Sequence, residues 1–319
     1  MRRILAASAA VLLASLLVTA SPAAPAGAGP VRHYAAVELG TLNGAYPAAY
    51  ALNDRDEVVG IVDHRPFLWR DGTMIGIEGT ADWVAALDIN ERGQVVGGGA
   101  GGGAFLWERG VTIPLRSGDD VAYTAMAINN RGQVVGTFYP SGDGVPHGYL
   151  WQRGTLTDLG EIQPVDINDR GQILVSRPQA AIWANGRLTA LGGLGNPVAI
   201  NNLGWVVGTT VIEDYSLRAV LWRNGRATQL GTLGGTRDKP TAINDLGQVL
   251  GTSTTADGYV HPVLWRNGRT IDLVPRGIVL QTLPSQAYIG GVTGLNNRGH
   301  IAANVPRPSD WAGIATLFR

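Results

Sequence analysis

Between residues 50 and 303 the chain alternates short apolar runs with polar turns, and one arrangement of the two is written seven times. A small residue and an apolar residue precede an Asn. Two variable residues, a Gly and a run of β-branched or aliphatic residues follow it. The copies span Asn53–Gly60, Asn90–Gly97, Asn129–Gly136, Asn168–Val175, Asn201–Gly208, Asn244–Gly251 and, most altered, Asn296–Ala303. Their anchors are 37, 39, 39, 33, 43 and 52 residues apart.

Each repeat resolves into four predicted strands. One ends at the anchor, as in Thr241-Ala-Ile-Asn244, and a four-residue turn leads to the next, Gln248-Val-Leu-Gly251. Asn at the first turn position bonds its own backbone, and Gly at the fourth accepts a left-handed conformation. Asp56 replaces that Gly in the first copy, and Asp tolerates the conformation better than most residues. A third strand ends at Trp, as in Pro262-Val-Leu-Trp265, and an Asn-Gly or Asp-Gly turn follows it, a strong hairpin signal. The fourth strand ends in an aliphatic residue, as in Leu156–Leu159 and Ala227–Leu230.

A repeat of about 40 residues carrying four antiparallel strands has the size of a β-propeller blade. Blades are covered on both faces, which suits continuous apolar runs better than strict alternation. No segment sustains a helical period, which argues against a helical solenoid. The seventh copy has a plausible third strand, Trp311–Phe318, and no fourth, while His33–Leu42 echoes the internal fourth strand Ala227–Leu230 and its exit. The expected fold is therefore all-β, a seven-bladed β-propeller of four-stranded antiparallel blades, closed by the N-terminal strand completing the last blade.

Ahead of the repeats, Arg2-Arg3, the apolar run Ile4–Ala20 and the small-residue stretch Ser21–Pro30 read as a secretory signal peptide and short linker, 1–30, leaving 31–319 as one repeat domain. No later apolar run is long enough to span a membrane, so the expected address is extracellular. Lys and Arg total 25 against 25 Asp and Glu, which leaves no basic footprint for nucleic acid. The absence of Cys excludes disulfides, thiolate chemistry and thiolate-bound zinc.

The pattern Ile-Asn-x-x-Gly-Gln-Val-Val-Gly, then His-x-x-Leu-Trp, then Asp-Leu-Gly resembles the bacterial extracellular HAF repeat family. The signature tripeptide stands in altered form as His147-Gly-Tyr149 and His261-Pro-Val263, and Gly103-Ala-Phe105 keeps two members. The resemblance covers Tyr34 to Arg319 and implies an extracellular β-rich repeat protein, with no activity or catalytic residues to carry over.

Antiparallel order puts the short, uniform turns at one end and the variable loops at the other, and variable loops on a rigid scaffold are where ligands are usually met. That face carries the ligand-binding candidates Asp82, Trp83, Asp119, Asp120, Tyr139, Asp143, Tyr215, Arg237 and Asp238. Trp83 stands outside the register of the strand-end Trp residues, which marks it for stacking rather than packing between blades. Asp88 and Asp166 are carboxylates where the other repeats carry Ala or Gly, a candidate acid/base pair or, alternatively, local backbone acceptors. The five His lack metal-ligand spacing, and no nucleophile elbow, phosphate loop or calcium loop is present, so neither metal nor cofactor is expected. The leading expectation is a secreted, non-catalytic protein binding a glycan, a cell-wall polymer or another protein. An extracellular hydrolase or lyase using Asp88 and Asp166, and a structural envelope protein, are the alternatives.

Overall fold

Every copy of the motif forms the first hairpin of a four-stranded antiparallel sheet. The computed structural model describes residues 33–80, 82–99, 102–115, 121–140, 144–278, 291–306 and 313–319. The leader, Asp119, Asp120 and Asp143 lie outside the described residues.

Strand β1 is Ala36–Glu38. The first repeat holds β2 (Ala48–Leu52), β3 (Val58–Val62), β4 (Arg65–Arg70) and β5 (Thr73–Gly76). The second holds β6 (Ala85–Ile89), β7 (Val95–Gly99), β8 (Gly102–Glu108) and β9 (Val111–Pro114). The third holds β10 (Val121–Ile128), β11 (Val134–Tyr139), β12 (His147–Gln152) and β13 (Thr155–Asp158). The fourth holds β14 (Pro164–Ile167), β15 (Ile173–Val175), β16 (Ala181–Ala184) and β17 (Arg187–Ala190). The fifth holds β18 (Asn196–Ile200), β19 (Val206–Val211), β20 (Leu217–Arg223) and β21 (Arg226–Gln229). The sixth holds β22 (Gly234–Ile243), β23 (Val249–Thr255), β24 (Val260–Arg266) and β25 (Arg269–Asp272). The seventh holds β26 (Gly291–Leu295), β27 (Ile301–Pro306) and β28 (Gly313–Phe318).

The expected strand from the other end of the chain completes that last sheet. β1 pairs antiparallel with β28, Ala36 opposite Phe318 and Glu38 opposite Thr316. Ala35 and Arg319 exchange two backbone hydrogen bonds of 3.0 Å, and Leu39 N–H donates to Ala315 O.

The apolar pairs after each turn (Val58-Val59, Val95-Val96, Val134-Val135, Ile173-Leu174, Val206-Val207, Val249-Leu250, Ile301-Ala302) are buried throughout. Adjacent residues of a strand point to opposite faces, so both faces of these strands are covered. Each hydrophobic cluster is accordingly shared by two neighbouring sheets. Val59 and Leu68 pack with Val95, Phe105 and Trp107, for example, and Val58, Phe67 and Trp69 pack with Ala302, Ala315 and Leu317 of the last sheet.

A β-bulge in the innermost strand explains the Gly that closes most copies of the motif. The register shifts between Ala49 and Ala51, and the backbone pushed out there meets Gly60. A Cβ on Gly60 would collide with the Ala48 carbonyl, and Gly97 and Gly136 stand in the same relation to Ala85 and Thr124. The Asp-Gly and Asn-Gly turns behave as expected too, with both central residues left-handed, as at Asp71-Gly72 and Asn267-Gly268.

One element departs from the expected layout. Arg237, Asp238 and Lys239 belong to β22 rather than to a loop, because this innermost strand runs longer and also pairs in parallel with β20, Leu217 opposite Arg237. The fifth and sixth sheets are thereby joined edge to edge.

Candidate functional site

The anchor Asn does more than close its own turn. Asn129 Oδ1 accepts from the N–H groups of Arg131 and Gln133, both at 3.0 Å. Its Nδ2 donates to Gln133 Oε1 at 2.7 Å and to the Asn168 carbonyl of the next repeat at 3.0 Å. The same inter-repeat donation runs from Asn53 to Asn90, Asn90 to Asn129, Asn168 to Asn201, Asn201 to Asn244, Asn244 to Asn296 and Asn296 back to Asn53.

A second cycle lies beside the first. The backbone N–H of Asp54 donates to Glu91, that of Glu91 to Asn130, and so on through Asp169, Asn202, Asp245 and Asn297, whose N–H returns to Asp54 Oδ1 at 2.6 Å. Asn202 Nδ2 also bridges the Asp169 and Asp245 carboxylates at 3.0 and 2.9 Å. The second cycle and five of the anchor Asn residues, with the apolar residues Leu52, Ile89, Ile128, Ile167, Ile200, Ile243 and Leu295, line a cavity of about 340 Å³ at the short-turn end. Burial pushes the Glu91 carboxyl up, against the Asp54 N–H bond that favours its charged form.

Asp88 and Asp166, both part-buried, bond to the backbone of residues that line this cavity. Asp88 accepts from Ile89 N–H and, across the repeat boundary, from Ile128 N–H, both at 2.8 Å. Asp166 repeats this with Ile167 at 2.7 Å and Ile200 at 2.8 Å. Burial, aided by the charge of Asp166, pushes Asp88 up to about 7. Burial outweighs the two backbone donors at Asp166 and pushes it up to about 6. The local-acceptor alternative describes both residues, and each acceptor also ties one innermost strand to the next.

The variable-loop face holds the exposed aromatics. Trp83 is 61% exposed and Tyr215 90% exposed, and both backbones are left-handed, at φ 64° and 60°. Tyr139 ends β11 and is also exposed. Asp82 is exposed and lies 3.7 Å from the Arg65 guanidinium. Arg237 is exposed on β22. Asp238 has no exposed surface: Ser253 Oγ donates to it at 2.6 Å and Arg218 at 3.0 Å. Its carboxylate is a buried partner holding β20 to β22, not a group offered to solvent, which corrects its place among the ligand candidates. Among the described residues no group of three or more His, Cys, Asp or Glu is arranged to hold a metal ion.

Two constellations were not anticipated. His147 and His261 face the Asp of the following strand, with Nδ1 to Asp158 Oδ2 at 3.0 Å and to Asp272 Oδ2 at 2.8 Å. Those Asp residues also accept from Gly160 and Val274 N–H, so the His and the Asp-Leu-Gly of the repeat pattern are one structural unit. At the junction of the last and first sheets, Asp56 receives His300 Nδ1 at 2.7 Å, Asn296 Nδ2 at 3.1 Å and Arg319 Nε at 3.2 Å. The recurrence of Asn at all seven anchors, where a turn alone would also accept Asp or Ser, was the available signal for the first hydrogen-bonded cycle.

No protein-family model matches the chain, and no curated protein does. Among solved structures it is similar to YCF48 bound to D1 peptide, at a TM-score of 0.53 and 13% identity over 90% of this chain and 96% of that one. It is also similar to puromycin hydrolase, at 0.51 and 10% over 89% and 53%. TolB from Acinetobacter baumannii matches at 0.45 and 12% over 72% and 63%. The chain thus spans less than two thirds of TolB and of puromycin hydrolase. The likenesses to YCF48 and to puromycin hydrolase establish a β-propeller fold and nothing finer. No helix among the described residues is long and apolar enough to cross a membrane.

Proposed function

We propose that the chain is a secreted, non-catalytic binding protein of the HAF repeat type. It is a seven-bladed propeller closed where β1 joins β28, and it meets an extracellular glycan, wall polymer or protein with its variable-loop face. The observation that carries this reading is the pair of bulky aromatics, Trp83 and Tyr215, held exposed in left-handed backbone on that face. Such conformations are costly for bulky residues and concentrate at functional sites. The closed cycle of anchor bonds, and the β1–β28 pairing, support the blade count and the closure.

A second reading, a hydrolase or lyase using Asp88 and Asp166, draws support from carboxyls raised to about 7 and about 6. Against it, both oxygens of each carboxyl are engaged by backbone N–H groups, one in its own strand and one in a neighbouring repeat. Purified protein applied to an array of glycans, wall polysaccharides and surface proteins, beside a hydrolase panel, separates the two. We expect binding without turnover, lost when Trp83 and Tyr215 are replaced together and kept when Arg131 on the short-turn face is replaced. Turnover abolished by Asp88→Asn would establish the second reading instead.

A further inference from the structure

We infer that His64, Arg65, Asp82 and Trp83 form a subsite for a neutral pyranose residue of a polysaccharide. This deepens the binding reading above and rests on it.

The subsite is built by an unusual use of backbone. The β3–β4 turn is Asp63-His64, both left-handed at φ 46° and 62°, where the opposite face uses a Gly at the second position of comparable turns. Trp83 is left-handed as well, and its N–H donates to the His64 carbonyl at 3.0 Å. Its own carbonyl sits against Gly99 of β7, where a Cβ would overlap it. Three strained residues are thus clamped to bring one indole onto one imidazole, with ring centroids 3.7 Å apart and planes tilted by 31°.

The stack covers one side of Trp83, and the residue is still 61% exposed. A rigid, solvent-facing indole carries an electron-rich π face that attracts the polarised C–H groups of a sugar ring. Hydroxyls at the ring's edge need both an acceptor and donors. The Asp82 carboxylate and the Arg65 guanidinium, 3.7 Å apart and both well exposed, supply them side by side. Because the two charges balance, the edge favours an uncharged pyranose over a uronic or sialic acid.

The test is calorimetric titration of the full chain with cellohexaose, chitohexaose, xylohexaose and mannohexaose, using wild type, Trp83→Ala, Trp83→Phe and Tyr215→Ala. Thermal melts would confirm that each variant is folded. We expect at least one hexaose to bind, Trp83→Ala to weaken it by about tenfold or more and by more than Tyr215→Ala does, and Trp83→Phe to stay within about threefold. Binding unaffected by Trp83→Ala, or weakened only by Tyr215→Ala, overturns the subsite and leaves the loop-face reading standing. Absence of binding to every hexaose at millimolar concentration also overturns the subsite, and the protein arm of the array then decides the broader reading by itself.

Discussion

Asn129 makes four hydrogen bonds with one amide, two as acceptor and two as donor, and the donor pair is what Asp cannot reproduce. In Asn129→Asp, Gln133 Oε1 and the Asn168 carbonyl would face a carboxylate instead of an N–H. Leaving buried acceptors unmet costs about 1–3 kcal/mol each, so chemical denaturation should register a loss of about 3 kcal/mol, against less than about 0.5 kcal/mol for the exposed Arg131→Ala. Asp56 gives the opposite kind of test. Its φ of 64° suits Gly, which every other repeat carries there, so the repeat pattern by itself predicts that Asp56→Gly stabilises. The carboxylate, however, gathers His300, Asn296 and Arg319 across the junction. Replacing it should therefore destabilise by about 2 kcal/mol or more. A raised melting temperature in Asp56→Gly would contradict that account.

At the scale of the element, the innermost strands are joined by acceptors as well as by packing. Asp88 sits between β6 and β10 and Asp166 between β14 and β18. A carboxyl raised from 3.8 to about 7 holds its proton in the folded chain over a range where the unfolded chain has lost it. The folded state binds more protons there, so this contribution to stability is full below 3.8 and is lost as pH rises towards about 7. Unfolding free energy measured across this window should fall with pH by an amount on the order of a few kcal/mol. Asp88→Asn should flatten most of that slope, and an unchanged slope would assign it elsewhere. The four-strand repeat, its turns and its Trp-ended strands were all legible in the sequence, because turn chemistry and apolar runs are local signals. The bulge opposite Gly60, the lengthened β22 that buries Asp238, and the His261–Asp272 pair were not, because each depends on which strand lies alongside.

Across the whole repeat unit, the pairing of β1 with β28 was readable from an echo between His33–Leu42 and Ala227–Leu230 and from a missing last strand. What the echo left out is how polar the seam between that last sheet and the first one is. Besides the backbone ladder, Asn304 pairs with both the N–H and the carbonyl of Ala49, at 2.8 and 3.0 Å. Deleting residues 33–40 would strip β1 from β28 and uncover an unpaired edge, a site for aggregation. Calorimetry should then show a broadened transition at lower temperature, with the deleted chain aggregating on heating. A sharp transition at the wild-type temperature would mean that the side-chain contacts alone fasten the junction.

The polar cycle at the short-turn end has an arithmetic of its own. Read around, it runs Asp54, Glu91, Asn130, Asp169, Asn202, Asp245, Asn297, acids taking turns with amides in all but one place. Strict alternation cannot be completed on an odd number of seats, so two neighbours must match, and here Asp54 meets Glu91, whose carboxyl is raised partly by that neighbour. Exchanging either of these two acids for an amide only shifts the mismatch to another seam. Removing it would take the gain or loss of an entire repeat.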